Sequence, residues 1–204
     1  MVSSGYENDD REILAINDCN DFNNVFLKSD RIYKHNTLRI NHTTYDVRRS
    51  QDVINPRTSR RDIMLLADNS GHDSHDDNHP FLYARVLGIY HVNVIYTGTK
   101  IVDYASRRLD FLWVRWFSYD KPQMMCWKQC KLDSVFFPPM ASEGAFGFVD
   151  PSEVLRASYI VPRFKTGRVH SDLVSLSRCA NDSHDWKRYY VNRYIRFYSG
   201  RTAC

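Results

Sequence analysis

The chain has 204 residues, of which 43% are hydrophobic, 14% aromatic and 25% charged, and its net charge is +4. This length suits one domain, and no apolar run approaches the roughly 20 residues of a membrane-spanning helix. The start of the chain lacks the basic and apolar regions of a signal peptide. The five cysteines are an odd number and thinly spread, which favours reduced thiols over a disulfide framework. We therefore expect an intracellular protein, nuclear or cytoplasmic, with no membrane partner.

The first third of the chain predicts a polar lead-in followed by short strands. Residues 1–30 are rich in Asn and Asp. TLRIN (37–41), TTYDV (43–47) and RRDIMLLAD (60–68) then show the short apolar runs and alternation that are typical of strands. DNSGHDSHDDNHP (68–80) is polar and dense in turn formers, which predicts an exposed loop. Its His and Asp side chains at 72–79 are of the kinds that bind metal ions. A metal site needs ligands held at fixed angles, however, and a polar loop does not provide them.

Two long segments, HPFLYARVLGIYHVNVIY (79–96) and RRLDFLWVRWF (107–117), are aromatic and β-branched, and each has an arginine in its middle. Because successive side chains of a strand point to opposite faces, one face can enter a core while the other carries Arg85 or Arg115. The side chains at the even positions from 82 to 94 are expected to share one face. We predict two long antiparallel strands, with a kink or bulge at Gly88.

The last third of the chain predicts two more strands, one short helix and a tail. LDSVFFPP (132–139) indicates a strand that ends at its prolines. Asp150, Pro151 and Glu153 are typical of a helix start, and SYIVPRF (158–164) then indicates a strand. DWKRYYVNRYIRFY (185–198) fits a short helix or an edge strand equally well.

These elements predict a mainly β protein with a small closed or partly open antiparallel β-barrel and a short helix. The barrel domain would span residues 31–164, between the polar lead-in (1–30) and a basic, aromatic C-terminal extension (165–204). Residues 161–204 contain nine Lys or Arg against three Asp, so this part of the chain has a charge of +6. Such a tail favours an acidic partner, of which nucleic acid is the commonest, although a solvated basic surface has the same composition.

No enzyme motif is present in the chain, neither a phosphate-binding loop, a nucleophile elbow, a dinucleotide fingerprint nor a zinc-protease helix. We predict no catalytic residues, no cofactor and no small-molecule substrate. Asp46, Asp52 and Asp62 would have to converge in space to hold catalytic metal ions. Cys126 and Cys130 lack a second ligand pair nearby, and no metal ligands are predicted.

Two groups of residues are candidates for binding. Aromatic side chains attract cations, so the first group would form a ligand-binding aromatic surface, unless its rings form the core. The second group combines basic side chains with neighbouring rings, which suits phosphates and bases, although the rings can also anchor the tail. The aromatic candidates are Tyr83, Trp113, Trp116 and Phe117, and the nucleic-acid candidates are Arg48, Arg49, Arg60, Arg61, Lys187, Arg188 and Arg193.

The blocks RIYKHNTLRINHTTYDVRRSQDVINP, HPFLYARVLGIYHVNVIY, RRLDFLWVRWF, LDSVFFPPMASEGAFGFVDPSEVLRASYIVPRF and SRCANDSHDWKRYYVNRY resemble, over residues 30–195, a domain of mushroom-forming fungi that accompanies CACTA-like, Plavaka-type DNA transposons. The resemblance implies a transposon-derived protein.

An architectural likeness to bromo-adjacent-homology (BAH) domains rests on YARVLGI (83–89), VRWF (114–117) and residues 150–160. It implies a β-barrel interaction module of chromatin, and some BAH domains bind methylated lysine in an aromatic cage. The long tail and the His/Asp loop depart from the BAH pattern, and a shared fold does not transfer function.

Together the residues and the resemblances predict a non-enzymatic binding module of a transposon-derived protein, with DNA, chromatin (a histone tail) or another protein as partner. The alternative is a catalytic or metal-binding accessory domain of a DNA transposase. Cleavage of DNA with a divalent metal would favour the alternative.

Overall fold

The computed structural model describes residues 24–43, 49–67, 79–97, 104–120 and 132–192, and these form a mainly β protein, as predicted. Short 3-10 helices lie at Pro151–Glu153, Phe164–Thr166 and Asp182–His184. The strands are β1 (Val25–His35), β2 (Leu38–Thr43), β3 (Arg49–Ile54), β4 (Asp62–Leu66), β5 (Phe81–Tyr96), β6 (Arg107–Trp116), β7 (Ser118–Tyr119), β8 (Ser134–Phe136), β9 (Phe146–Val149), β10 (Val154–Ala157), β11 (Tyr159–Pro162) and β12 (Tyr189–Asn192).

The two long strands predicted from the sequence, β5 and β6, form the centre of a six-stranded antiparallel sheet. One edge of β5 pairs with β6, and β9 continues the sheet beyond β6. The other edge of β5 pairs with β4 in its first part and with β1 in its second part, which is why this strand needs 16 residues. β10 completes the sheet beside β4.

A β-bulge interrupts β5 at the place predicted from Gly88. Val86 lies opposite Val114 and Gly88 lies opposite Trp113, so Leu87 is an extra residue in the ladder. The extra residue reverses the alternation of side chains beyond it. The prediction that all even positions from 82 to 94 lie on one face of the strand is therefore wrong. Ala84 and Val86 share a core cluster with Ile89, not with the even positions that follow.

The core is divided between the two faces of the six-stranded sheet. Strands β4 and β5 are buried on both faces in their paired parts, so adjacent side chains enter different clusters. The first cluster lies beneath the β2–β3 hairpin and contains Ile40, Ile54, Ile63, Leu65, Ala84, Val86, Ile89, Leu112, Val114, Val149 and Val154. The second cluster joins the six-stranded sheet to a four-stranded sheet of order β11-β12-β8-β7 and contains Met64, Tyr83, Phe117, Val135, Tyr189 and Val191.

Within the described ranges, the hydrogen-bonded strands form three separate sheets and do not close into a ring. The segment that fitted a helix or an edge strand contains β12, which is a central strand between β11 and β8. Part of the predicted C-terminal extension thus belongs to the fold. At the other end, β1 begins at Val25, inside the range predicted as lead-in.

The short helix is present where the sequence predicts it. Pro151–Glu153 forms one 3-10 turn, and the Asp150 carboxylate accepts a hydrogen bond of 2.8 Å from the Ser152 backbone N–H. The strand expected for SYIVPRF is β11, and β10 precedes it directly after the 3-10 turn, where the sequence does not predict a strand.

Candidate nucleic-acid interface

The arginines in the middle of the two long strands are buried, with only 6% of each residue exposed. The prediction that they lie on a face outside the core is wrong, because that face is covered by the four-stranded sheet. Arg85 donates to Asp62 over 2.8 Å and to Asp185 over 3.1 Å, and Arg115 donates to the other oxygen of Asp185 over 2.6 Å. Two carboxylates thus compensate two buried guanidinium groups.

Aromatic rings enclose these guanidinium groups. The ring of Phe137 lies 4.8 Å from the guanidinium carbon of Arg85 and 4.1 Å from that of Arg115. The hydroxyl of Tyr189 donates to Asp185 over 3.2 Å, and burial raises its pKa, which keeps the proton in place for that bond. An aromatic cation site therefore exists, but two arginines of the chain itself occupy it.

The structure does not gather the four predicted aromatic ligand-binding residues around one pocket. Tyr83 and Phe117 belong to the second core cluster, where they are 2% and 6% exposed. Trp116 packs against the first core cluster, on the opposite face of the sheet. Trp113 is half-buried and stacks on Phe146 with ring centroids 6.1 Å apart.

A two-stranded ribbon extends beyond β11 and β12. The Arg163 N–H donates to the Arg188 carbonyl over 2.9 Å, and the Lys187 N–H donates to the Gly167 carbonyl over 3.1 Å. Arg168 then forms a β-bridge with Trp186. Gly167 has a φ of +78°, which favours glycine at this turn. The ribbon brings together two parts of the chain that are about twenty residues apart.

Basic and aromatic side chains alternate on this ribbon. The guanidinium carbon of Arg163 lies 5.4 Å from the ring of Tyr190, and that of Arg168 lies 5.2 Å from Trp186. Phe164 is 67% exposed and meets Trp186 edge to face at 5.0 Å. We call this surface the basic ribbon, and its members are Arg163, Phe164, Lys165, Arg168, Trp186, Lys187, Arg188 and Tyr190.

The positive charge of the basic ribbon is largely uncompensated. Arg188 binds Asp120 over 2.9 Å, but the other four cations of the ribbon have no carboxylate within ion-pair distance in the described part of the chain. Two of the three aspartates in residues 161–204, Asp182 and Asp185, are buried and hydrogen-bonded inside the protein, and the third, Asp172, is exposed. The surface is therefore more positive than the composition of the segment indicates.

The other predicted nucleic-acid residues do not join the basic ribbon. Arg49 is exposed on β3 and Arg60 is exposed in the turn before β4. Arg61 is half-buried, and its pKa is lowered by burial and by the positive charge of Arg85. Arg48 and Arg193 lie outside the described residues. The sequence pattern selected Lys187 and Arg188 but not Arg163, Lys165 and Arg168, whose signal is the RFKTGR run with its turn glycine, Gly167.

The carboxylates considered for catalysis have separate structural partners. Asp52 accepts from Arg156 over 3.4 Å and from the Ala157 N–H over 3.1 Å, whereas Asp62 binds Arg85. Asp46 lies outside the described ranges, as do Cys126 and Cys130. Residues 72–78 of the His/Asp loop lie outside them too. His79 lies two residues before β5, with its ring beside that of Tyr119.

No protein-family model, curated protein or solved structure matches the chain. The resemblances to a fungal transposon-associated domain and to BAH domains therefore stay predictions. Among the helices that the structure describes, none has the length and apolar character needed to cross a bilayer.

Proposed function

We propose that this chain is a non-enzymatic binding module whose basic ribbon binds nucleic acid. The observation behind the proposal is that five cations and three rings share one ribbon, and that four of these cations have no carboxylate partner in the described residues. Four members of the ribbon, Phe164, Lys165, Arg168 and Lys187, are exposed. Cations of this kind bind phosphates and release counterions, and rings stack on bases. A predicted partly open barrel, built from the sheets around the two core clusters, would present the ribbon at its rim.

A nucleic acid fits the ribbon better than a histone tail does. Histone tails are themselves rich in Lys and Arg, and like charges that meet across an interface oppose binding. A methylated lysine would also need a vacant aromatic cage, whereas the rings of Phe117 and Phe137 already contact Arg85. The transposon context predicted from the sequence agrees with a DNA ligand.

The exposed ring of Phe164 favours single-stranded over double-stranded nucleic acid. A ring stacks on the face of a base, and these faces are covered by neighbouring bases in a duplex. Phe164 projects from the 3-10 turn between Arg163 and Lys165, so a stacked base would have a cation on each side for its phosphates. We therefore expect a single strand to bind more tightly than a duplex of the same length.

Fluorescence anisotropy with a labelled single-stranded DNA of about 20 nucleotides tests the proposal. The variant K165E/K187E reverses two exposed charges of the ribbon. Charge reversal removes phosphate contacts and adds repulsion, so we expect affinity at low salt to fall by at least about tenfold.

The matched control is K28E/K34E, which makes the same change in net charge on β1. We expect its affinity to stay within about threefold of the unchanged chain, because only cations near the bound phosphates contribute strongly. Equal loss in the two double variants, or no salt-dependent binding by the unchanged chain, would overturn the proposal.

A further inference from the structure

Three metal-ligating side chains meet on the six-stranded sheet, whereas the basic ribbon extends from the four-stranded sheet. His91 on β5 lies directly opposite Asp110 on β6. On the other side of β5, His91 lies opposite Tyr33 of β1, and His35 is two residues further along on the same face. One donor atom from each of His35, His91 and Asp110 lies within 4.8 Å of the others. The three residues are distant in sequence, so the sequence does not show the cluster.

The two imidazoles already approach each other through ring nitrogens. Nε2 of His35 lies 2.6 Å from Nδ1 of His91, and Tyr33 stacks on the His91 ring at 4.7 Å with an interplanar angle of 8°. The stacked ring of Tyr33 holds His91 in place beside His35.

The carboxylate of the cluster is held by a neighbouring arginine. Arg108 donates to one oxygen of Asp110 from Nη2 over 2.7 Å and from Nε over 3.0 Å, and Nε lies 3.1 Å from the other oxygen. Each carboxylate oxygen accepts about two bonds, so the contact with Arg108 leaves capacity for a metal ion. Such outer partners orient ligands in many metal sites.

We propose that Nε2 of His35, Nδ1 of His91 and a carboxylate oxygen of Asp110 bind a divalent transition-metal ion of the zinc class. Two imidazoles and one carboxylate are the protein ligands of a common type of zinc site, in which the fourth position is open to water or substrate. Imidazole disfavours Mg²⁺ and Ca²⁺, which take oxygen ligands.

Movements of about 1 to 1.5 Å separate the observed cluster from a tetrahedral site, in which donors about 2.0–2.1 Å from zinc are about 3.3 Å apart. The two nitrogens, 2.6 Å apart, must separate by less than about 1 Å, and a donor pair as far apart as 4.8 Å must close by about 1.5 Å. His35 is the last residue of β1 and is half-buried, and Asp110 is exposed, so both ends of the cluster have room to move. The site depends neither on the basic ribbon nor on nucleic-acid binding.

Isothermal titration of the metal-free full-length chain with Zn²⁺ tests the site, with cysteines kept reduced. We expect H35A and H91A each to lose one zinc equivalent or to bind it at least about 100-fold more weakly, since even outer-shell changes cost about 10- to 100-fold. The control H184A removes an exposed histidine outside the cluster and keeps that equivalent. H72A/H75A should also keep the zinc equivalent, which would show that the zinc is bound by the cluster and not by the predicted His/Asp loop. Mg²⁺ gives no such equivalent.

Imidazole ¹⁵N NMR spectra of the unchanged chain test the site without a substitution, so the result does not depend on whether a variant folds. Zn²⁺ is expected to shift Nε2 of His35 and Nδ1 of His91 together, with saturation at the stoichiometry of the titration. Zinc equivalents that survive in both H35A and H91A, or ring nitrogens that zinc leaves unshifted, would overturn the proposal.

Discussion

Arg85 and Arg115 lie directly opposite each other in the β5–β6 pair and bind the two oxygens of one carboxylate, that of Asp185. Like charges directly opposite on a sheet repel each other. Asp185 removes that repulsion, and it comes from the segment that leads into β12. Docking of this segment is therefore required to compensate the charges of the core.

Replacing Asp185 by Asn should destabilise the protein strongly. The change leaves Arg115 without a carboxylate in the described structure and weakens the compensation of Arg85, and loss of one partner of a buried ion pair costs about 3 kcal/mol or more. Urea unfolding should show a lower midpoint with an unchanged slope.

The matched control for that measurement is D120N. Asp120 and Arg188 form an ion pair in which each side chain is 35% exposed. Exposed pairs contribute about 0 to 1 kcal/mol, so D120N should remain close to the unchanged chain. Similar losses in both variants would contradict the special role of the buried pair.

Replacing Phe164 by Ala should weaken binding to single-stranded DNA without affecting a duplex. Loss of one base–aromatic stack costs about 1–3 kcal/mol, or roughly 5- to 150-fold in affinity. F148A removes a phenylalanine of similar exposure from β9, 72% against 67% for Phe164, and should leave both affinities unchanged. Anisotropy titrations with both ligands measure the difference, and an equal effect of F164A on duplex and single strand would count against stacking.

The affinity for single-stranded DNA should fall linearly with salt on a logarithmic scale. If all five cations of the basic ribbon contact phosphates, the slope is about −3.5, because each contact on a single strand contributes about −0.7. K187A should reduce its magnitude by about 0.7. Titrations at four or more salt concentrations measure both slopes, and identical slopes would remove Lys187 from the interface.

Acid should remove a contribution that Asp182 makes to stability. Burial alone would raise the pKa of Asp182, but hydrogen bonds from the Ser175 hydroxyl and the N–H groups of Ser177 and Leu176 outweigh it and lower the pKa to about 2. The ionised carboxylate therefore stabilises the fold above pH 4, near its pKa of about 3.9 in an unfolded chain. This stabilisation is lost as the pH falls towards 2.

Thermal unfolding from pH 6 to pH 2 measures this contribution when the unchanged chain is compared with D182N. The difference in midpoint should be constant above about pH 5, shrink below pH 4, be small near pH 2 and vanish below it. A difference that is independent of pH would show that hydrogen bonds, rather than charge, account for the effect.

Local sequence patterns predict the strands well because the evidence for a strand is contained in a few adjacent residues. The apolar, β-branched segments at 81–96 and 107–116, the capped turn after Asp150 and the bulge near Gly88 all follow from such patterns. Closure into a barrel depends instead on pairing between distant strands, which alternation along one strand does not encode.

The same reason explains why the sites were predicted only in part. The alternation of side chains along the strands indicates which face Arg85 and Arg115 share. It does not indicate that the four-stranded sheet covers that face. Lys187 and Arg188 stand out as basic residues next to rings, whereas their partners around Arg163 become visible only when the ribbon forms. His35 and His91 are isolated in the sequence and meet through strand pairing alone.

Because of the single extra residue in β5, side chains from the two halves of that strand reach different sites. Arg85 and His91 are six residues apart and would share a face in a regular strand. The bulge at Leu87 turns the arginine towards Asp185 and the histidine towards Asp110, on opposite sides of the sheet. Inserting or deleting one residue there would move the side chains after the bulge to the other face of the sheet or change the twist of the strand pair. We therefore expect insertions and deletions to be tolerated far less at this position than in the turn at 55–60.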